Sequence, residues 1–508
     1  MRSAAGGYGA PPQIVFRGAR PSRLVRIEGR SRRVMMLPTP VQHVVVIIME
    51  NRTVDDLLSG YYEWRACGTN HSTKCGSALN LYDPLAEPTL QPNSLSAHFD
   101  PDHAHGTGWW HESQGAWGDE PLHCKRKCKP TDTPLSYVPT SETEVYRQII
   151  EHWEFASNVL QANQGPSFAA HQYFIAGQSG GLAGAKSAPF AEAENPRRNG
   201  DDDDGIDPEA VPGSQKSSGC VPRGGYNVKT VNMAIPAPSE QPWDNGPSIY
   251  PCEEYNTILD EIESALGKPV SADWQYIAQA TRSAWAAPLG VEHLFKKFKH
   301  GGKPRPFTVD PDAVNFVNDI AAKNPSRPFA ALTYITPCTH SSDHPRISGN
   351  DDGPEWLGWL VNAIGESKYW RSTAIFVVWD DWGGFYDHVP PVPPSGPGPY
   401  RPLPNPYNNV ADPNEWGFRV PLMVISPYVT ARGYISNQKT SGFQYRSQSA
   451  ILQFVEGVFG LPSLRGDDIQ QNQADGFADM FDMGEAPLSY VKLRLPPSWH
   501  PPHGRCPT

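Results

Sequence analysis

Two adjacent carboxylates repel one another unless a proton or a cation lies between them. Asp380 and Asp381 form such a pair, in the run Trp379-Asp380-Asp381-Trp382-Gly383-Gly384-Phe385-Tyr386-Asp387-His388. They follow directly on Val377 and Val378, so they leave a hydrophobic strand, and the glycines after them let the backbone turn tightly. A divalent metal is the natural explanation. Another apolar run ends in Met49-Glu50-Asn51-Arg52. Glu50 and Asn51 both offer oxygen to a hard cation, although this motif taken alone reads equally well as a surface turn. A further run leads into Thr336-Pro337-Cys338-Thr339-His340-Ser341-Ser342-Asp343-His344-Pro345, where histidines bind metal or donate hydrogen bonds to a phosphate. The loop Asp100-Pro101-Asp102-His103-Ala104-His105 adds two more. A single histidine is more often structural, but clusters after successive strands converge in space.

A nucleophile is needed to use such a centre. Ser167, in Gln164-Gly165-Pro166-Ser167, is the candidate: glycine permits close backbone approach and proline fixes the entry angle. A serine hydroxyl is too weakly acidic to attack phosphorus unaided, so metal coordination has to activate it. Ser179 and Ser187 are competing hydroxyls downstream. The chain has no Gly-x-Ser-x-Gly elbow, which argues against an α/β-hydrolase.

The elements that must position these groups are visible as short β-branched runs: Val44 to Met49, Phe329 to Ile335, Thr373 to Trp379 and Val420 to Ser426. Helical patterns cover Glu142 to Ala156, entered through a capping box at Ser141 and Glu144, and also Asn256 to Leu266, Asp312 to Lys323, Pro354 to Ala363 and Gln448 to Phe459. Alternation of this kind predicts an α/β fold with a mostly parallel central sheet flanked by helices. In parallel sheets ligands bind at the carboxyl ends of the strands, where the acidic motifs lie.

At 508 residues the chain accommodates one large α/β core with long loop insertions, and 53 prolines with 45 glycines supply the turns. We divide it into an N-terminal arm (1–40), a catalytic domain (41–485) and a C-terminal arm (486–508). The polar stretch 191–225 reads as a surface insertion, and 390–413 as an irregular loop. A net charge of -11 argues against nucleic acid as a partner. No run approaches the ~20 apolar residues that span a bilayer, and 1–40 has no apolar signal core. The eight cysteines include the close pairs Cys67/Cys75 and Cys124/Cys128, and we expect Cys220 to pair with Cys252. Disulfides in an oxidising compartment are favoured over a zinc knuckle around His123, Cys124 and Cys128, for which no second ligand pair is found.

Several ordered stretches resemble one family. They are His43 to Gly60 (HVVVIIMENRTVDDLLSG), Ser342 to Pro345, Asp380 to Pro391 (DDWGGFYDHVPP), Gly417 to Tyr428 (GFRVPLMVISPY), Ser449 to Glu456 and Phe481 to Met483. Together they are similar to the bacterial and plant phosphoesterases that include non-haemolytic phospholipases C and respiratory-burst-inhibiting acid phosphatases, within the alkaline-phosphatase-like superfamily. The resemblance implies an alkaline-phosphatase-like fold and a metal held by Glu50, Asn51, Asp380 and Asp381. It implies Ser167 as the nucleophile, also touching the metal, and His103 and His344, supported by Asp343, on the phosphoryl group. The chain departs from the family pattern twice. Phe168-Ala169-Ala170-His171 stands where the family has Pro-Asn-Arg, and the acidic pair is Asp-Asp where it is often Asp-Glu.

The expected reaction is hydrolysis of a phosphoester or phospholipid through a phosphoserine, phospholipase C-like or acid phosphatase-like. An all-oxygen ligand set favours calcium, magnesium or manganese on hardness, while superfamily relatives often use zinc. Trp109, Trp110 and Trp117 would suit an aromatic wall for a choline headgroup, or anchor their loop. The expected location is periplasmic or secreted, with at most transient membrane-surface contact. The rival readings are an inactive binding relative and a sulfatase- or phosphonate-type hydrolase, the latter lacking its nucleophile motif around Ser167.

Overall fold

The structure, a computed structural model, describes residues 39–58, 90–180, 217–232, 246–266, 273–299, 306–345, 352–389, 416–436, 446–464 and 476–506, with short interruptions inside some of these ranges and a few strand residues outside them. An eight-stranded sheet runs through its centre. In chain order the strands are β1 (His43–Met49), β2 (Glu154–Ala156), β3 (Trp274–Ala278), β4 (Phe307–Val309), β5 (Leu332–Ile335), β6 (Thr373–Trp379), β7 (Leu422–Ile425) and β8 (Tyr434–Ser436). Their spatial order is β4-β3-β5-β1-β6-β7-β2-β8. Every pairing is parallel except those of β7, which runs antiparallel to β6 and to β2.

β1 lies at the centre because it can be buried on both faces. Val44 through Met49 have no exposed surface, and each such side chain contributes roughly 2 kcal/mol through removal from water. Its parallel partner β6 matches it residue for residue, Thr373 opposite His43 through Trp379 opposite Met49. This register makes Glu50 and Asp380 leave the sheet side by side.

Among the described residues the seven principal helices are α1 (Glu144–His152), α2 (Ser167–Ala176), α3 (Ile258–Leu266), α4 (Glu292–Lys299), α5 (Val314–Ala321), α6 (Gly353–Gly365) and α7 (Ala450–Phe459). The helix expected over Glu142 to Ala156 is a correction. It stops at His152, and Glu154–Ala156 becomes a sheet strand, since Phe155 and Ala156 are buried between β7 and β8. Nor does the capping box form: the N-cap is Thr143, without a side-chain cap bond. The 191–225 segment also differs from a simple projecting loop. Its described end, Ser217 to Cys220, is buried, and Cys220 is bonded to Cys252 as expected. Asp201 to Asp204 and most of 390–413 lie outside the described residues.

Cys124 is joined to Cys128, which removes the zinc knuckle, and Cys67 and Cys75 lie outside the described residues. A third bridge, Cys338 to Cys506, was not expected. It ties the C-terminal segment to the loop after β5. That segment also crosses α6 and α1: the Leu493 amide donates to Asn362 Oδ1, and Gln148 exchanges two hydrogen bonds with the backbone of Arg494.

Candidate active site

Three strand exits meet. The Asp380 amide donates to the Met49 carbonyl and the Glu50 amide to the Ser342 carbonyl, so β1, β6 and the loop after β5 are stitched together where they leave the sheet. Asn51 sits in left-handed backbone, at φ 55°, and its amide donates to Asp380 Oδ1 at 3.1 Å. For a residue other than glycine that conformation costs about 1 kcal/mol. It is held because the acidic turn closes over it: a Cβ on Gly383, itself at φ 63°, would lie 2.3 Å from the Asn51 carbonyl oxygen.

The sequence-designated groups come together here. Glu50, Asn51, Ser167, Asp380 and Asp381 are all fully buried. Ser167 is the first residue of α2, and its Oγ lies 3.3 Å from Glu50 Oε2 and 3.1 Å from Asp381 Oδ2. Burial, reinforced by the charge of Asp381, pushes the Asp380 carboxyl up to about 8. The donor chemistry fits a divalent cation: Asp380 Oδ2 is buried with no hydrogen-bond partner, and beside it Glu50 and Asp381 both direct a carboxylate oxygen at Ser167 Oγ.

The Asn51 carboxamide bears on the same point. As placed, Oδ1 lies 3.0 Å from Glu50 Oε2 and 3.3 Å from Asp380 Oδ1, an oxygen among oxygens. Nδ2 lies 3.1 Å from His103 Nε2 and 3.3 Å from His344 Nε2. Each imidazole engages a backbone carbonyl through Nδ1, Pro101 for His103 and Pro345 for His344, and so carries its proton there. Their Nε2 atoms are then acceptors, one for each hydrogen of Nδ2. The reversed carboxamide would give Oδ1 to both rings and require each to carry a second proton. A cation among the oxygens would favour the first arrangement, with Oδ1 turned towards it.

Asp343 is also at the site but does not bond either imidazole. Its Oδ2 accepts from the Tyr146 hydroxyl at 2.6 Å and from Trp379 Nε1 at 3.1 Å, and its carbonyl accepts from Arg52 Nε. Burial raises its carboxyl to about 7, against the opposing effects of the Tyr146 bond and the Arg52 charge. The other histidines are engaged elsewhere. His105 contacts Gln164, His340 faces Asp312 and Asp352, and His388 bonds Asp55 beside Arg419. Trp109 is buried and stacked on His105, while Trp117 packs against Trp382, Tyr386 and Phe418. Both anchor their loop, and Trp110 lies outside the described residues.

Sequence reasoning passed over two contributors. Gln448 donates Nε2 to the Trp379 and Asp380 carbonyls and so holds the acidic turn. His171, one turn beyond Ser167, brings Nε2 to 2.9 Å from Glu50 Oε1. Its only sequence signal was the four-residue spacing from Ser167, which puts both on one face of α2.

The pattern of the Phosphoesterase family matches residues 41–462, most of the chain. The chain belongs to the phosphoesterase family. It is 30% identical over 230 residues to phospholipase C B of Mycobacterium tuberculosis, a stretch covering 42% of this chain and 41% of that one. It is 32% identical over 130 residues to non-specific phospholipase C3 of Arabidopsis thaliana, covering 24% and 23%. With the non-hemolytic phospholipase C of Pseudomonas aeruginosa it shares 29% over 147 residues, covering 26% and 20%. The matched stretches thus span 34% to 41% of the mycobacterial relatives' length. Among solved structures, a protein in the alkaline phosphatase superfamily from Vibrio parahaemolyticus matches 79% of this phosphoesterase and 74% of its own chain at 10% identity and a TM-score of 0.29, too distant a likeness to carry further weight.

Proposed function

We propose that this phosphoesterase is metal-dependent, works through a phosphoserine on Ser167, and takes phospholipids as its substrate class, in the manner of a phospholipase C. The observation that carries the reading is Ser167 Oγ held between Glu50 Oε2 and Asp381 Oδ2, with two histidine Nε2 atoms on the far side of Asn51. The names of the mycobacterial, plant and pseudomonad relatives support the substrate.

Glu50, Asn51, Asp380, Asp381 and Ser167 would hold the cation. Bound there, it makes a hydroxyl acidic enough to attack and offsets charge on phosphoryl oxygens, and the oxygen donors suit calcium, magnesium or manganese before zinc. Ser167 stands at the start of α2, where free backbone amides add partial positive charge beside the developing anion. Its Oγ bonds phosphorus while the bond from phosphorus to the alcohol oxygen breaks. His103 and His344, with Nδ1–H fixed on carbonyls, turn the Nε2 lone pair to the site, and through it one of them takes up the proton that Ser167 releases and passes it to the leaving alcohol. Water then attacks the phosphoserine from the opposite side and gives a proton to that Nε2, and the imidazolium passes it to Ser167 Oγ as the bond from phosphorus to Oγ breaks. Asp343 holds the approach to His344 through Tyr146, Trp379 and Arg52.

The disulfides support an oxidising compartment, periplasmic or extracellular, as the place of action. Among the described residues no helix is long and apolar enough to cross a membrane, so lipid would be met at a surface.

The test is turnover of phosphatidylcholine vesicles, p-nitrophenylphosphorylcholine and p-nitrophenyl phosphate by chelator-stripped and metal-restored protein. Asp380→Ala and Glu50→Ala should lose both metal and activity, and Ser167→Ala should bind phosphate yet trap no phosphoenzyme. Full activity of stripped protein or of Asp380→Ala would sink the mechanism. Turnover of the monoester alone would reassign the enzyme to soluble substrates of the acid phosphatase type.

A further inference from the structure

His171 has no part in the steps above, yet its imidazole is fully buried and reaches the same carboxylates. Nε2 lies 2.9 Å from Glu50 Oε1 and 3.6 Å from Asp380 Oδ2. On the other edge of the ring, Nδ1 lies 3.5 Å from the Tyr276 hydroxyl. That hydroxyl donates its hydrogen to the Trp285 carbonyl at 2.6 Å. It therefore has only lone pairs to offer His171, so a hydrogen on Nδ1 has an acceptor there. A ring with its hydrogen on Nδ1 presents Nε2 as a bare lone pair. In that tautomer the lone pair faces two carboxylate oxygens.

Ligand atoms of Glu50, His171 and Asp380 all lie within 4.8 Å of one another, and three electron-rich atoms at such range repel unless a proton or a cation lies among them; a divalent cation satisfies all three at once. Reorientation is blocked as well. The ring lies nearly parallel to Trp285, with centroids 6.4 Å apart, and meets Phe174 edge-on. The two departures from the family pattern meet at this point. Asp381, one methylene shorter than glutamate, accepts the Gly383 amide on Oδ1 and has only Oδ2 directed at Ser167. His171, standing in the segment that replaces Pro-Asn-Arg, supplies a further donor.

We propose that His171 Nε2 is a direct ligand of the divalent cation, which makes the set mixed nitrogen and oxygen. This rests on the metal-dependent reading above. It moves the metal preference from calcium and magnesium towards manganese and zinc, because imidazole suits transition metals and the purely hard cations favour oxygen.

The test uses full-length protein stripped by chelator and reloaded with Mn²⁺, examined by pulsed electron paramagnetic resonance for nitrogen-14 bound directly to the ion. The wild type should show one such nitrogen. His171→Gln should lose it and bind Mn²⁺ and Zn²⁺ roughly tenfold more weakly or worse, with Mg²⁺ affinity much less changed. His103→Gln should keep the coupling. Mn²⁺ bound with no directly coordinated nitrogen in the wild type overturns the proposal, and this needs no variant to fold. So does a coupling that survives His171→Gln and vanishes in His103→Gln. Failure of the stripped wild type to bind Mn²⁺, Zn²⁺ or Mg²⁺ would instead overturn the metal-dependent reading itself.

Discussion

Asn51 faces both halves of the proposed chemistry, with Oδ1 towards the carboxylates and Nδ2 towards His103 and His344. Asn51→Asp separates these duties. The ligand oxygen stays and the donor is lost, so metal content should be retained while kcat falls on the order of a hundredfold, as for other single groups acting on a reacting proton. A new negative charge beside two imidazoles favours their charged forms, so the histidine limb of the pH–rate profile should move to higher pH. Unchanged turnover with metal retained would show that the carboxamide nitrogen does no work. Glu50, Asn51, Asp380 and Asp381 were legible in the sequence because acidic and amide groups rarely follow an apolar run directly. Ser167 needed the metal motifs and the family resemblance to stand out from Ser179. His171 escaped because it lies in Phe168 to Ala176, a helix buried on all sides, where a lone histidine reads as core.

The turn after β6 and the short strand β2 show what elements contribute. Gly383→Ala places a methyl 2.3 Å from the Asn51 carbonyl and asks alanine for φ 63°. We expect a loss of about 2 kcal/mol or more in stability together with most of the activity, read as a lower Tm and a lower kcat. An unaltered Tm would mean that the turn is free to adjust. In β2, burial raises the Glu154 carboxyl from 4.5 to about 9, only partly opposed by the Ala431 amide on Oε1. The folded protein thus holds a proton that the unfolded chain releases above about 4.5, and stability falls as pH rises from there towards 9. Glu154→Gln keeps the acceptor and removes that slope. Its Tm should exceed the parent's at about pH 8, by an amount on the order of 3 kcal/mol in stability, and match it near pH 4. A constant gap across pH would refute the assignment. β2 was hidden because its three residues continue the helical pattern of α1, and a glutamate at the start of so short a strand argues against a buried sheet. β1 and β6 were legible because six consecutive apolar residues, Val44 to Met49 and Ala374 to Trp379, admit few other places.

At the scale of the molecule, the sequence disclosed the α/β class and the convergence of strand exits but not the closure of the chain on itself. Cysteine spacing cannot choose among many pairings, and Cys338 and Cys506 are 168 residues apart. In the chain-entropy view a loop of that size is stabilised by as much as ~5 kcal/mol. Cys506→Ser should therefore lower Tm by several degrees, and reductant should affect this variant less than the parent. An unchanged Tm would mean that the contacts of Asn362 and Gln148 with the C-terminal segment suffice alone. The same bridge has a bearing on biosynthesis. A polypeptide is made from its N-terminus, so Cys338 emerges well before its partner exists, when Cys124, Cys128, Cys220 and Cys252 have already been made. An oxidant acting on the growing chain meets only wrong partners for it, and thiol exchange after synthesis has to correct them. The loop that carries His344 thus receives its covalent tie only once translation has passed Cys506, and until that moment the nascent chain must hold the proposed centre by hydrogen bonds and packing alone.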